Sequence, residues 1–493
     1  MTIDPTAVEH TARPWNNAPP VPDSLEETGL SAAFVSDLLI KTLYRLGART
    51  GNQLGNIIRL PFALLDEELM TLQRRHLIEV RSASGHGRRG YTFDLTMEGR
   101  GRGREALVSS SYVGPAPVTL DQYTEWIANH NVSSLNVDRE TVTDGLQHLV
   151  LEDDFIDILG PGISSGTSLF LYGDAGNGKT VIAEAIAQLL GGRMYVPHAV
   201  EIEGQIIQMY DPTFHRAVEG TDPEENGGSP WVQPPPEYDH RFVRIERPVV
   251  IVGGELTLEQ LELHFDPHSG VYRAPPQLKA NGGAFIIDDF GRQRVHPREL
   301  LNRWMVPLER HVDFLNLPIG HKVLVPFECL LIFATNLNPA DLVEEAFLRR
   351  IRYKVHVANP SREQYDEIFR RVCRDRKLQY APEAVEFIYD EFYGRLGFEP
   401  RSCHPRDLLG HVVDLARYTN TASVLSEEKL DLACRAYFLE VPEANVPNGV
   451  RSRLRPRTSV PTDWRSADGP TSGRSGRSNL NPQGPGWIGR THD

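Results

Sequence analysis

The sequence predicts an α/β fold, in which a mostly parallel β-sheet is covered by helices. Three observations lead to this prediction. Apolar runs typical of buried strands alternate with helical segments between residues 136 and 357. A glycine-rich loop lies between one of these strands and the helix that follows it. From residue 358 to residue 440 the apolar spacing is helical throughout, which adds an all-α unit after the sheet.

Length and composition indicate a globular protein with several folded units. A chain of 493 residues is too long for one compact core, and 40% apolar with 24% charged residues is ordinary for globular proteins. We find no secretory signal and no run of about 18 uncharged apolar residues, so no membrane span is predicted. The four cysteines have no paired spacing, which favours isolated thiols over a metal or redox site. We therefore expect a cytoplasmic protein.

Both ends of the chain are predicted to lack a core of their own. Residues 1–24 are rich in Pro, Asn and Thr and are expected to form a flexible leader. Residues 441–493 are rich in Arg, Gly, Ser and Pro and are expected to be disordered, because they cannot bury enough apolar surface. An arginine cluster in this tail could hold an anionic partner, although a solvated tail is favoured: Arg451, Arg453, Arg455 and Arg457.

Residues 25–110 predict a small α+β unit of the winged-helix type. Apolar residues from Phe34 to Leu46 have helical spacing, a second short helix fits residues 50–58, and Pro61 opens a third helix that continues to His76. Two strand-like runs, at residues 77–80 and 91–95, flank a glycine-bearing turn. Three helices followed by a hairpin make a winged helix.

The charges of this unit favour protein docking over DNA binding. The third helix, which would enter a DNA groove, carries Asp66, Glu67 and Glu68, whereas DNA affinity depends on neutralising phosphates with Lys and Arg. Arginines near the hairpin, such as Arg88 and Arg89, keep DNA binding open. The net charge of −14 argues against a chain that binds nucleic acid with its whole surface.

A linker is expected at residues 111–135, and the strongest chemical motif follows it. Residues 173–180 fit the phosphate-binding loop pattern G-x-x-x-x-G-K-[ST] at every fixed position, after a buried-type strand and before a helix. In such a P-loop, backbone N–H groups and the helix N-terminus cradle phosphates, a lysine reaches the β- and γ-phosphates and a hydroxyl holds Mg²⁺. The predicted ligands of ATP and Mg²⁺ are Gly173, Asp174, Ala175, Gly176, Asn177, Gly178, Lys179 and Thr180, with Thr180 on the metal.

Hydrolysis needs acidic residues, and a second strand supplies them. Residues 284–289 form an apolar run that ends in Asp288 and Asp289, the Walker B arrangement. Asp288 is predicted to hold Mg²⁺ directly or through water, and Asp289 to orient and deprotonate the attacking water. Aspartate is one methylene shorter than the glutamate common at the second position, which bears on the rate of hydrolysis.

Three further sites along the chain complete the candidate set. Asn336 ends another buried-type strand and could position the hydrolytic water. Arg349 and Arg350 follow a short predicted helix, and either could neutralise charge on the γ-phosphate. Arg406 lies in the first turn of a helix of the all-α unit and could reach the nucleotide.

Together these motifs resemble the AAA+ ATPase superfamily over residues 136–439. The resemblance implies an αβα core at residues 136–357 and a helical lid at residues 358–440, with Asn336 as sensor 1, Arg349 or Arg350 as the arginine finger and Arg406 as sensor 2. It also implies a ring, expected to be a hexamer, because a finger acts on a neighbour's nucleotide. Residues 346–350 and a predicted hairpin at residues 313–327 are similar to MoxR-type ATPases, whereas Asp-Asp-Phe-Gly at residues 288–291 is similar to helicase loaders.

One departure from a minimal core is the distance between the two nucleotide motifs. Lys179 and Asp288 are 109 residues apart, and we assign the excess to a surface insertion at about residues 213–276. This insertion could contact a client protein or a neighbouring subunit, or be a passive loop; both interpretations stay open.

The functional hypothesis is an ATPase that couples nucleotide turnover to the remodelling of an unidentified protein partner, as chaperone-like ATPases do. Two alternatives remain. A DNA-linked loader or regulator predicts that DNA stimulates the ATPase and that DNA binding falls steeply with salt. A scaffold or switch that binds ATP with little turnover predicts that Lys179→Ala abolishes function while Asp289→Asn preserves it.

Overall fold

The computed structural model describes residues 18–83, 87–218, 238–317, 320–339 and 348–438. Most of the predicted leader, residues 219–237 of the predicted insertion and the predicted tail at residues 441–493 lie outside the described residues, as do Ala346 and Phe347. No described helix is both long enough and apolar enough to cross a membrane. All four cysteines are within the described residues and none forms a disulfide.

The N-terminal unit contains the three helices and the hairpin that the sequence predicts. Ser31 caps the first helix through Phe34 N, and Thr50 with Gln53 forms a capping box on the second, which fixes where each helix starts. The strands form an antiparallel sheet in the order β1-β3-β2. In chain order the elements are α1 (Ala32–Leu46), β1 (Arg49–Thr50), α2 (Gly51–Ile58), α3 (Phe62–Arg74), β2 (Ile78–Ala83), β3 (Tyr91–Leu95) and α4 (Met97–Ser109).

Helix α4 is not predicted from the sequence. It contains Gly99, Gly101 and Gly103, which weaken a helix in isolation. In the fold two of them allow close packing: a Cβ at Gly99 would lie 1.9 Å from the carbonyl oxygen of Leu77, and one at Gly103 would lie 2.8 Å from the Tyr44 ring. The glycines therefore favour α4 through tertiary contact with the hairpin and with α1.

The next elements lead from the linker through the phosphate-binding region to the inserted strands. Within the predicted linker lies a helix, Leu120–Asn129, which starts at a capping box formed by Thr119 and Gln122. In chain order the elements are β4 (Val118–Thr119), α5 (Leu120–Asn129), α6 (Arg139–Leu146), α7 (Asp153–Ser165), β5 (Ser168–Tyr172), α8 (Lys179–Leu189), β6 (Arg193–Pro197), β7 (Ala199–Ile202), β8 (Gln205–Gln208), β9 (Phe242–Glu246), β10 (Val249–Val252), β11 (His264–Asp266), β12 (Val271–Arg273) and α9 (Pro276–Lys279).

The remaining elements complete the sheet and form a C-terminal helical unit. The hairpin expected at residues 313–327 is present, and Gly320 has a left-handed φ of 85° near its turn. In chain order the elements are β13 (Ala284–Ile287), α10 (Pro297–Arg310), β14 (Val312–Asn316), β15 (Lys322–Pro326), β16 (Leu330–Thr335), β17 (Tyr353–His356), α11 (Arg362–Asp375), α12 (Pro382–Ile388), α13 (His404–Tyr418) and α14 (Glu427–Tyr437). Helices α11–α14 are called the C-terminal helical unit below.

The central sheet confirms the predicted α/β class. Its five strands are all parallel and lie in the order β10-β13-β16-β5-β17. Both faces of the sheet are buried against a hydrophobic core. Because side chains alternate along each strand, Leu169 and Leu171 face the core shared with α6, α7 and α8, whereas Phe170 faces the core that contains Trp304 of α10. Strand β16 lies between β5 and β13. Because these three strands are parallel, their carboxyl ends lie side by side.

Part of the region assigned to an insertion is built into sheets. A second five-stranded sheet has the order β11-β12-β8-β7-β4, and β6 pairs with β9 in an antiparallel ribbon. Strand β10 lies within residues 213–276 and forms one edge of the central sheet. Thus the described part of that range contributes both to the core and to a second layer.

Candidate functional site

The P-loop at residues 173–180 joins β5 to α8 and has the backbone that its glycines permit. Gly173, Gly176 and Gly178 have positive φ values of 141°, 89° and 82°. A side chain is excluded at Gly173 for a second reason, because its Cβ would lie 2.2 Å from the carbonyl oxygen of Val357. Both constraints follow from a loop that must turn sharply between a buried strand and a helix start.

Lys179 and Thr180 begin helix α8 and point into the loop and toward β13. The Lys179 ammonium donates to the carbonyl oxygens of Gly173 at 3.0 Å and Asp174 at 2.8 Å. Burial lowers the pKa of Lys179, and its side chain is ready to pair with a stronger anionic acceptor. The Thr180 hydroxyl donates to the Asp288 carboxylate, with distances of 2.9 and 3.1 Å to its two oxygens.

The pair formed by Thr180 and Asp288 suits a magnesium ion. Two residues 108 positions apart come together because β5 and β13 end at the same edge of the parallel sheet. A hydroxyl and a carboxylate are hard oxygen donors, and Mg²⁺ in nucleotide sites is held by one or two such groups together with water and phosphate oxygens. The donor set therefore fits the metal predicted from the sequence.

Asp289 occupies a constrained position directly after β13. Its φ of 48° is left-handed, a conformation that Asp adopts more readily than most residues. The buried Gln293 side chain holds this turn: Oε1 accepts from Gly291 N at 2.8 Å, and Nε2 lies 3.2 and 3.3 Å from the carbonyl oxygens of Asp288 and Asp289. The backbone at Asp289 is thus fixed beside the P-loop.

Asn336 follows β16, between the P-loop strand and the Walker B strand. Its Oδ1 accepts a hydrogen bond from Arg292 Nε at 3.2 Å. The preceding residue, Thr335, donates from its hydroxyl to the Phe290 carbonyl oxygen at 2.6 Å and accepts from Leu337 N at 3.1 Å. The ends of β13 and β16 are therefore tied together by side chains.

The predicted arginines lie at the surface or pair with acidic residues. Arg350 donates to Glu309 of α10, and the neighbouring Arg349 is exposed. Arg406 does lie in the first turn of α13, but 64% of its side chain is exposed and its Nε donates to Asp407 at 3.0 Å. Another arginine does contact the P-loop: the Nη1 atom of Arg401 donates to the Ala175 carbonyl oxygen at 2.7 Å.

Arg401 was not predicted from the sequence, although a partial signal existed. Arg401 lies just before the same helix start that drew attention to Arg406, so the correct segment was identified but not the contacting side chain. The backbone adds a second link, since Cys403 N donates to the Gly176 carbonyl oxygen at 2.9 Å. A cavity of about 370 Å³ lies between the P-loop and the C-terminal helical unit, and its lining includes Arg401 and the rings of Phe398 and Tyr437.

Comparisons with known proteins give one family match and a set of distant structural similarities. Residues 361–436 match a domain of unknown function (DUF8689), which corresponds to the C-terminal helical unit. No curated protein sequence matches the chain significantly.

Two solved structures illustrate the structural similarities. The Thermotoga maritima RuvB Holliday junction branch migration motor is 14% identical with a TM-score of 0.32, over 62% of this chain and 72% of that one. NtrX from Brucella abortus in complex with ADP is 15% identical with a TM-score of 0.36, over 74% of this chain and 68% of that one. These TM-scores are too low to support an argument about activity or partners. The chain itself has an α/β fold, with a P-loop at the carboxyl end of strand β5 in its parallel sheet.

Proposed function

We propose that this chain binds ATP with Mg²⁺ and hydrolyses it, as an AAA+ ATPase does. The observation that carries the proposal is the contact between Thr180 and Asp288 beside a P-loop with the required glycine geometry. A chance glycine loop has no reason to bring a hydroxyl and a carboxylate together at the metal position. The predicted residues at the ends of β5, β13 and β16 fit one phosphate site.

In this proposal each residue has a defined task. Lys179 exchanges its two carbonyl acceptors for the β- and γ-phosphates, and Thr180 with Asp288 holds Mg²⁺, which neutralises charge on the transferred phosphoryl group. Asp289 accepts the proton of the attacking water, and Asn336 positions that water. Arg406 belongs to the C-terminal helical unit and reaches the nucleotide only if its exposed side chain leaves Asp407.

The proposal extends to a ring, with a hexamer as the expected form. Arg349 is exposed and Arg350 lies at the surface beside α10, positions from which a side chain can serve a neighbouring subunit. A finger supplied in trans stabilises the charge that develops on the γ-phosphate. Rotation of the C-terminal helical unit after hydrolysis would then transmit force around the ring.

The partner we propose for the N-terminal unit is a protein, and this unit is the winged-helix-like domain of the proposal. Internal carboxylates pair with four of its basic side chains: Arg88 with Asp66, Arg102 with Asp37, and both Arg81 and Arg100 with Asp94. Cations engaged in this way are less available to DNA phosphates. This charge pattern favours a remodelling ATPase with a protein client over a DNA-linked loader.

The test is steady-state ATPase activity against protein concentration for the wild type, Lys179→Ala, Asp289→Asn and the double variant Arg349→Ala/Arg350→Ala. We expect a rate per chain that rises with concentration, loss of nucleotide binding in Lys179→Ala, and at least about a 100-fold lower kcat in Asp289→Asn. Loss of the concentration-dependent rate in the arginine double variant supports a finger in trans.

Two outcomes would redirect the proposal. Stimulation by DNA that declines steeply with salt would favour the loader. Tight ATP binding by the wild type, with turnover no higher than in Lys179→Ala, would leave a nucleotide-dependent scaffold or switch.

A further inference from the structure

Arg292 contacts Asp289 and Asn336 but belongs to none of the motifs recognised in the sequence. It is three residues beyond Asp289, on the loop between β13 and α10. Its backbone N–H donates to the Asp289 carbonyl oxygen at 2.9 Å, and its guanidinium Nε donates to Asn336 Oδ1 at 3.2 Å. Arg292 thus contacts both residues proposed to handle the attacking water, Asp289 through its backbone and Asn336 through its side chain.

The chemistry of the two side chains determines how the Asn336 carboxamide is turned. A guanidinium has five N–H donors and no acceptor, so the Asn336 atom that faces Arg292 has to be the oxygen. The NH₂ group then occupies the other branch of the carboxamide. Among the described residues we find no acceptor for this NH₂ group, which leaves its two hydrogens for a ligand.

Hydrogen bonds hold the loop that carries Arg292 on both sides. The Arg292 backbone is therefore held in place, although its side chain is exposed. Gln293 is 8% exposed and ties the loop to the carbonyl oxygens that follow β13. On the other side Phe290 N donates to the Ala334 carbonyl oxygen of β16 at 2.8 Å, and the Thr335 hydroxyl donates back to the Phe290 carbonyl oxygen. The Arg292 backbone therefore keeps a constant distance from Asn336.

We propose that Arg292 is a positioning residue for hydrolysis, which holds the Asn336 carboxamide with its NH₂ group toward the γ-phosphate and the attacking water. The inference rests on the proposed ATPase function and deepens it. Without Arg292, the Asn336 amide rotates between two orientations, and only one of them presents a donor to the phosphate oxygens. Loss of Arg292 should therefore lower kcat, because misplaced catalytic groups lower the rate more than they weaken ground-state binding.

The test compares kcat, KM and the Kd for ATP in Arg292→Ala, Arg292→Lys, Asn336→Ala and the double variant Arg292→Ala/Asn336→Ala. The matched control is Arg294→Ala, which removes an exposed arginine two residues along the same loop. We expect Arg292→Ala to lower kcat about tenfold with a Kd within about twofold of the wild type. Lysine retains a donor and should recover part of the rate, and Arg294→Ala should leave kcat unchanged.

The double variant separates positioning from direct contact with the nucleotide. If Arg292 acts through Asn336, removing Arg292 has no further effect once Asn336 is alanine. Independent, multiplying losses would overturn the inference and place the guanidinium on the phosphate itself. An unchanged or higher kcat in Arg292→Ala would also overturn it, while the parent ATPase proposal would stand. A wild type with no turnover above Lys179→Ala removes both proposals together, so the two failures are distinguishable.

Discussion

At the scale of single residues, His404 is a buried histidine that is kept neutral at the start of α13. Its Nδ1 lies 2.7 Å from the Tyr393 hydroxyl and 3.3 Å from Arg401 N, which can only donate. Burial, together with the positive charge of Arg401, lowers the pKa of His404 to about 4, against the opposing effect of Asp407. The segment that contacts the P-loop is therefore sensitive to protonation.

This gives a pH prediction with a defined sign. The unfolded chain binds a proton at His404 below a pKa of 6.5, whereas the folded chain binds it only near 4, so the folded state loses stability as the pH falls from about 6.5 to 4. The loss is at most about 3 kcal/mol. We expect His404→Gln, which keeps a polar side chain that does not titrate, to show a smaller drop in denaturation midpoint between pH 7.5 and pH 5 than the wild type.

The control for this experiment is His411→Gln, which changes an exposed histidine in the same helix. It should follow the wild-type pH dependence. If His404→Gln and the wild type lose equal stability over this interval, His404 is not the group responsible, and other titrating groups carry the acid sensitivity.

At the scale of elements, a chain of amide hydrogen bonds connects the P-loop with the C-terminal helical unit. Asn177 of the P-loop is buried, and its Nδ2 donates to Asn359 Oδ1 at 2.7 Å. Asn359 Nδ2 in turn donates to Glu399 Oε2 at 2.7 Å. Asn359 lies between the last strand of the sheet and α11, where the helical unit would pivot. The P-loop conformation is thereby coupled to the orientation of the helical unit.

We predict that Asn359→Ala loosens this connection. Asn177 would lose its acceptor inside the protein, at a cost of about 1–3 kcal/mol. The expected result is faster hydrogen exchange in the first turn of α13 and in the P-loop, together with faster release of ADP. In the control, Glu399→Gln, a neutral carbonyl still accepts from Asn359, so exchange should change little. Unaltered exchange in Asn359→Ala would mean that the bonds to Arg401 and Cys403 suffice.

Elements with strong local patterns were predictable from the sequence, and those that depend on tertiary contacts were not. Strands β5, β13 and β16 are apolar runs that end in polar groups, so both their type and the meeting of Thr180 with Asp288 could be inferred. Helix α4 was missed because its glycines signal a loop, and only the approach of Leu77 explains them. The contact of Arg401 with Ala175 likewise depends on how two distant segments pack, which no local pattern records.

At the scale of the whole molecule, a buried ion pair joins three distant parts of the chain. Asp239 and Arg241 are each 3% exposed and pair at 2.8 Å beside β9. The Arg241 Nη1 also donates to the carbonyl oxygens of Thr28 at 3.0 Å and Pro117 at 3.3 Å, in the N-terminal segment and the linker. The sequence predicted a surface insertion here that could contact a client protein or a neighbouring subunit, or be a passive loop. Its contact with Thr28 and Pro117 of the same chain depends on tertiary packing, which no local pattern indicates.

Another contact of the N-terminal unit is apolar and reaches the second five-stranded sheet. Phe34 of α1 packs with Tyr112 against the small core formed by Ala199, Ile206 and Val271. Together with the Arg241 contact, it favours a unit that moves with this part of the chain rather than one that swings freely on the linker. Any partner held by the N-terminal unit would then respond to movements of the layer that carries β7 and β8.

The last prediction tests this attachment through Arg241→Met. The change leaves Asp239 buried without its cation and removes two backbone acceptor contacts, so we expect a loss of about 3–5 kcal/mol in the stability of the joined region. Limited proteolysis should then cut within residues 111–118, where we expect the wild type to resist. Arg216→Ala is the matched control, since its pair with Glu246 is exposed and contributes at most about 1 kcal/mol.

Removing both partners, in Asp239→Leu/Arg241→Met, should cost less than Arg241→Met alone because no unpaired charge remains buried. Equal resistance to proteolysis in Arg241→Met and the wild type would show that the apolar contact at Phe34 holds the N-terminal unit without the ion pair.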